Sequence, residues 1–198
     1  MIEALSKIPL SLSKEARYEL AAAKLLPEII HTYGDAEIQY PNKVYWITYA
    51  PGKINDKGGK ISFSRNSQLL TILNTETTAY LENLLKQKID NTRLHLMRTY
   101  GNILPHVDEV RTCAINIGLE NSESAITTVN KKPGKFIFID TEDCLSVRCS
   151  VGTPYLLDVS KTHEVTADNP HSIRYMMTYS MRENYHSFIE NFYKVCKV

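Results

Sequence analysis

No stretch of this chain approaches the ~20 consecutive apolar residues that span a bilayer. The opening MIEALSKIPLSLSKEA also lacks an apolar core long enough for a signal peptide. A cytoplasmic protein with no membrane partner is the resulting expectation. Excess charge is missing too: the formal net charge of +1 gives none of the basic surplus that phosphate backbones require. Nucleic acid is therefore not the expected partner. Cysteine is sparse, with Cys113, Cys144, Cys149 and Cys196 in 198 residues and no CxxC pair. That spacing argues against a disulfide framework and against a thiolate zinc site. Cys113 and Cys149 stand in apolar, strand-like runs and read as buried reduced thiols, with redox function the alternative. Repeats, low-complexity tracts and linkers are absent as well, so the expectation is one domain over 1–198.

What is present falls into three textures. Over 1–91 the expectation is helices with supporting strands. Ser13 can cap a helix running to Ile30, with Glu15 in its first turn, and Pro27 ends or kinks it. The segments 44-VYWITY-49 and 60-KISFS-64 read as strands joined by the turn-rich APGKINDKGG. A second helix fits 76–89, where Leu81, Leu84, Leu85 and Ile89 share one face.

Over 92–181 short strand candidates follow one another: 93–100, 111–119, 124–129, 135–140, 145–150, 154–159 and 172–180. Such a series, punctuated by turn residues, predicts a mainly β body of sandwich or barrel type with flanking helices. A last helix occupies 182–198. Its stripe of Tyr185, Phe188, Ile189, Phe192, Tyr193 and Cys196 either docks on the core or forms a homodimer face.

The chemistry centres on 103-ILPHVDEVRTCAINIGLE-120. His106 and Asp108 lie two residues apart in the connection between two predicted strands. On extended backbone, residues two apart point the same way, so an imidazole and a carboxylate can converge. Alone, an HxD pair reads first as a hydrogen-bonded loop pair. His163, between PYLLDVSKT and Glu164-Val165-Thr166, is the candidate third member, on a strand distant in sequence and adjacent in a barrel. Two histidines and one carboxylate make the facial triad of non-haem Fe(II) oxygenases, with open positions left on the metal.

Arg174 adds weight, because it interrupts the apolar strand IRYMMTYS with no Asp or Glu beside it. An arginine facing a barrel interior calls for an anionic partner, and a carboxylate suits its planar fork. A dicarboxylate cosubstrate could meet Arg174 with one end and the metal with the other.

Taken together, these residues resemble the 2-oxoglutarate- and Fe(II)-dependent dioxygenases over Leu94–Ser180. His106, Asp108 and His163 match the metal triad, and Arg174 matches the residue that binds the distal carboxylate of 2-oxoglutarate. HVDEVRTCAINIGLEN is similar to the prolyl-hydroxylase-like and aspartyl/asparaginyl-hydroxylase-like branches. The resemblance implies a double-stranded β-helix (jelly-roll, cupin-like) core. It also implies Fe(II), 2-oxoglutarate and dioxygen as cofactor and cosubstrates, and release of succinate and CO2. Some branches carry a serine two residues after the arginine, where Met176 stands here, and Thr178 on the same strand face is the substitute hydroxyl. The aspartyl/asparaginyl branch often lacks the metal carboxylate, whereas Asp108 is present.

Asn116, Arg98 and Tyr100 are secondary candidates for contact with cosubstrate or substrate, against core-edge or surface readings. His171, beside Asn169-Pro170, reads as a turn residue, and His31, His95 and His186 have no partners that suggest ligation. The implied reaction is hydroxylation of an unactivated C–H bond in a protein or peptide side chain. A free amino acid or other small metabolite is the second substrate class. A cupin-like metal-binding module without oxygenase activity is the alternative from another class, and only the oxygenase needs Arg174. The loop 50–60 is a candidate cover for the cavity mouth.

Overall fold

In the computed structural model the described residues are 1–23, 44–48, 67–100, 102–108, 111–132, 141–169 and 172–196. The expected strands at 60–64 and 135–140, the loop 50–60, Pro27, His31 and His171 lie outside them. The described elements are β1 (Ile2–Ala4), α1 (Lys14–Ala23), β2 (Val44–Thr48), α2 (Ser67–Leu85), β3 (Leu94–Tyr100), β4 (Ile103–His106), β5 (Cys113–Glu120), β6 (Ala125–Asn130), β7 (Cys144–Val147), β8 (Pro154–Leu157), β9 (His163–Ala167), β10 (Ile173–Met181) and α3 (Tyr185–Val195). They form a six-stranded sheet ordered β1-β8-β5-β10-β3-β2 and a four-stranded sheet ordered β4-β9-β6-β7. All named pairs in both sheets are antiparallel.

Alternation along the strands separates two cores. Cys113, Ile115, Ile117 and Leu119 of β5 and Tyr175, Met177, Tyr179 and Met181 of β10 join Leu20, Leu73, Leu81, Phe188 and Phe192 in the main cluster. The helices therefore cover the outer face of the larger sheet. Its inner face meets the smaller sheet through Ala114, Tyr155, Leu157, Val159 and Cys149, with Val147 and Ile2 packed alongside. The C-terminal stripe is thus part of the main core. Tyr193 and Val195 on the same helix are exposed.

Local chemistry fixes the helix ends. Ser13 Oγ accepts from Ala16 N at 3.0 Å, as its capping position predicts, while Ser13 N donates to Glu76 of α2. Asn184 caps α3 by accepting from His186 N. Helix α2 starts at Ser67, ahead of the expected residue 76, and ends at Leu85, short of 89. Lys86 takes a left-handed φ of 55° and stops it there. Cys113 and Cys149 are buried free thiols, and burial pushes their pKa values up to about 12 and about 11. Among the described residues no helix is long and apolar enough to cross a membrane.

Candidate metal centre

The smaller sheet builds the site. His106 is the last residue of β4 and His163 the first of β9, and they are direct partners in the antiparallel ladder. The sequence placed His106 in a connection; the structure makes it a strand end, with Asp108 in the loop beyond. Pairing brings the two imidazoles to 4.2 Å between ring centroids. Asp108 N donates to Val159 O at 3.0 Å, and Ser160 N donates to Thr112 O at 3.1 Å. The loop after β4 is thereby clipped to the connection leading into His163.

Each histidine is oriented in the same way. His106 Nδ1 lies 2.8 Å from Leu104 O, and His163 Nδ1 lies 2.9 Å from Lys161 O. A carbonyl oxygen only accepts, so each Nδ1 carries a proton, and in the neutral ring each Nε2 keeps its lone pair. His106 Nε2 stands 3.6 Å from Asp108 Oδ1. Ligand atoms of His106, Asp108 and His163 all lie within 4.8 Å of one another. Among the described residues this is the one such group of His, Cys, Asp or Glu. Two imidazole nitrogens held by backbone carbonyls plus one carboxylate oxygen fit a divalent transition metal with open positions. His163 is 6% exposed, while the His106 side chain is 33% exposed, so the cluster is more open to solvent at His106 than at His163.

Electrostatics favour the ligating forms of Asp108 and His163, while at His106 they favour the protonated ring that a metal would have to displace. Burial would raise the Asp108 pKa, but the hydrogen bond from His106 and the charge of Arg111 outweigh it and hold the carboxyl at about 2. Burial, reinforced by the neighbouring His106, pulls His163 down to about 4. Burial opposes the shift at His106, yet hydrogen bonds to Asp108 and Leu104 leave its pKa raised. At neutral pH Asp108 is an anion and His163 is neutral.

Arg111 is the residue that sequence reasoning passed over. Its Nε donates to Asp108 Oδ2 in a short ion pair. Its Nη1 reaches Thr178 Oγ1 at 3.2 Å and Ser180 Oγ at 3.4 Å on β10. Thr178, fully buried, donates in turn to Asn116 Oδ1 at 2.6 Å. Two of the secondary candidates, Thr178 and Asn116, are therefore joined to Asp108 through Arg111. Cross-strand register places Tyr155, Asn116, Thr178 and His95 in one row across the larger sheet. His95 shares this row, and burial, with a smaller contribution from Arg111, lowers its pKa to about 4. Its position opposite Thr178 depends on pairing between β3 and β10, which the local sequence around His95 does not carry.

Arg174 lies four residues before Thr178 on the same strand, about 13 Å away at the usual rise. It is 3% exposed, and strand alternation turns it with Thr178 toward the inner face, away from Tyr175 and Met177 of the outer core. Burial lowers its pKa from the ordinary arginine range. Met176, between Arg174 and Thr178 on that face, is opposite Met97 of β3. The side chains of Arg98 and Tyr100 lie outside the described residues, although both belong to β3.

No family model matches this chain, and no curated protein matches it. Solved structures do. One is an oxidoreductase of the 2OG-Fe(II) oxygenase family from Burkholderia pseudomallei, with TM-score 0.51 and 16% identity over 86% of this chain and 80% of that one. Another is a prolyl hydroxylase from Trichoplax adhaerens in complex with a peptide fragment of the hypoxia inducible factor oxygen degradation domain. It gives TM-score 0.50 and 12% identity over 92% of this chain and 83% of that one. The likeness defines the fold class: a mainly antiparallel double-stranded β-helix with a few helices, as in those oxygenases.

Proposed function

We propose that this chain is a 2-oxoglutarate- and Fe(II)-dependent dioxygenase that hydroxylates an unactivated C–H bond. The observation that carries this reading is the convergence of His106, Asp108 and His163 within 4.8 Å, with both Nδ1 protons tied to carbonyls. In this role the two Nε2 atoms and one Asp108 oxygen hold the metal. Arg174 receives the distal carboxylate of 2-oxoglutarate, its buried charge gaining from an anion that can meet it bidentately. Fe(II), 2-oxoglutarate and dioxygen together supply the oxidation, in which the cosubstrate leaves as succinate and CO2 and the substrate gains a hydroxyl group.

The surrounding residues exclude water and fix orientation. Met97 and Met176 form an apolar stretch of the inner face between Arg174 and the Thr178 row, which limits the approach of water to the cosubstrate. A protein or peptide side chain is the proposed substrate, supported by the fold shared with a prolyl hydroxylase solved with a peptide. The half-exposed edge at His106 suits a bulky substrate that stays largely outside.

The test is iron content after anaerobic loading and desalting, with 2-oxoglutarate turnover to succinate as the second readout. Wild type should retain one equivalent and form succinate. His106→Ala, Asp108→Ala and His163→Ala should each lose iron while keeping the wild-type circular dichroism spectrum. Unchanged iron in all three variants would remove the triad.

A further inference from the structure

We infer that Arg111 is a positioning residue that makes Asp108 a one-oxygen ligand and ties it to the strand carrying Arg174. The inference rests on the metal reading above and concerns how the third ligand is held. Asp108 presents its two oxygens to different partners: Oδ1 faces His106 Nε2 at 3.6 Å, while Oδ2 is taken by Arg111 Nε. A carboxylate oxygen engaged by a guanidinium is poorly placed to enter the coordination sphere as well. Oδ1 is therefore the metal-facing atom.

Arg111 is itself fixed from the far side. Its Nη1 bridges Thr178 and Ser180, two residues of β10 on one face, and Thr178 is locked by its hydrogen bond to Asn116 of β5. The loop that carries Asp108 belongs to neither strand. Without Arg111, Asp108 would keep among the described residues its backbone hydrogen bond to Val159 O and the approach of Oδ1 to His106, with nothing holding Oδ2. The guanidinium thus transfers the rigidity of the larger sheet to a ligand supplied by a loop at the edge of the smaller one. Outer-sphere partners of this kind set ligand orientation and commonly change metal affinity by about 10–100-fold.

A competing effect has the opposite sign, because a cation near a divalent ion repels it. The two are separable by the residue through which each acts: positioning operates only through Asp108, whereas repulsion acts on the ion directly. The experiment is calorimetric titration of Mn(II), without cosubstrate, into wild type, Arg111→Met, Arg111→Lys, Asp108→Ala and the Arg111→Met/Asp108→Ala double variant. Arg111→Met should weaken Mn(II) binding by about tenfold or more. Arg111→Lys should recover only part of this, since a point donor cannot reach both Asp108 and the β10 hydroxyls. In the Asp108→Ala background, where the two histidines still bind Mn(II) weakly at calorimetric concentrations, the Arg111→Met change should bring no further weakening.

Thr178→Val serves as a milder perturbation and should shift affinity in the same direction by less. Equal weakening by Arg111→Met with and without Asp108, or tighter binding in the single variant, overturns the positioning role while leaving the metal site standing. Absence of Mn(II) binding to wild type overturns both, and the iron measurement on the triad variants identifies that case separately.

Discussion

At the residue scale, His163 links the site to stability. Its pKa falls from the ordinary 6.5 to about 4 in the folded chain because the ring is buried and faces His106. In the window between those values the unfolded chain binds the proton and the folded chain does not. Stability contributed by the neutral ring is complete above 6.5 and is lost as pH falls to about 4. The shift corresponds to a loss on the order of 3 kcal/mol across that window. Asp108 acts lower, with stability lost as pH falls from the ordinary carboxylate range toward about 2. The raised pKa of His106 contributes with the opposite sign, its stabilisation being lost as pH rises above the ordinary histidine value. Urea unfolding of the metal-free protein across the His163 window should therefore show a steeper pH dependence in wild type than in His163→Asn. Parallel curves would mean that His163 titrates normally.

The same residues show what a sequence can and cannot carry. His106 and Asp108 were legible as a convergent pair because the period of extended backbone is two. His163 was legible only as a candidate, since its place opposite His106 depends on β4–β9 pairing across 56 intervening residues. Arg111 left a faint signal, as a lone cation between acidic Asp108-Glu109 and an apolar strand. Its partner Thr178 reads from the sequence as a hydroxyl beside Arg174, and nothing local connects it to Arg111.

At the element scale, misreadings trace to short or mixed segments. β1 has three residues and β4 has four, one of them Pro105, too little pattern for alternation to register. Helix α2 begins in a stretch containing Thr71, Asn74 and Thr75, whose low helix propensity concealed the stripe of Leu73, Thr77 and Leu81 that buries it. Strands β3, β5, β6, β8 and β10 fell close to their expected positions because long apolar runs bounded by turns are locally decisive.

One tight contact within β5 yields a prediction. A Cβ on Gly118 would sit 2.1 Å from Ser122 Oγ and 2.3 Å from Ser122 Cβ. Ser122 is buried in the short turn that follows the strand. Gly118→Ala should destabilise the fold by about 1–3 kcal/mol, read as a lowered urea midpoint. Adding Ser122→Gly should restore part of that loss, and an unchanged midpoint in Gly118→Ala would show that the turn yields freely.

At the scale of the molecule, the division of labour follows from the two cores. Helices α1, α2 and α3 take up the outer apolar face of the larger sheet, which leaves its inner face free to carry polar groups: Asn116, Thr178 and Arg174. Those polar groups face a smaller sheet whose edge strand β4 and its neighbour β9 present the two histidines. A β body was legible from the run of short strands. The double-stranded β-helix came with the family resemblance, while the order of strands within its two sheets depends on pairings between distant segments.

In the proposed function Arg174 and the triad act on one molecule of 2-oxoglutarate. Calorimetric titration of 2-oxoglutarate into the anaerobic Fe(II)-loaded protein, repeated with Arg174→Ala, tests this directly. Wild type should bind one equivalent, and Arg174→Ala should bind about thirtyfold more weakly or worse, the loss of a buried charge pair of about 2 kcal/mol or above. No binding to wild type, or equal binding by both proteins, would contradict it.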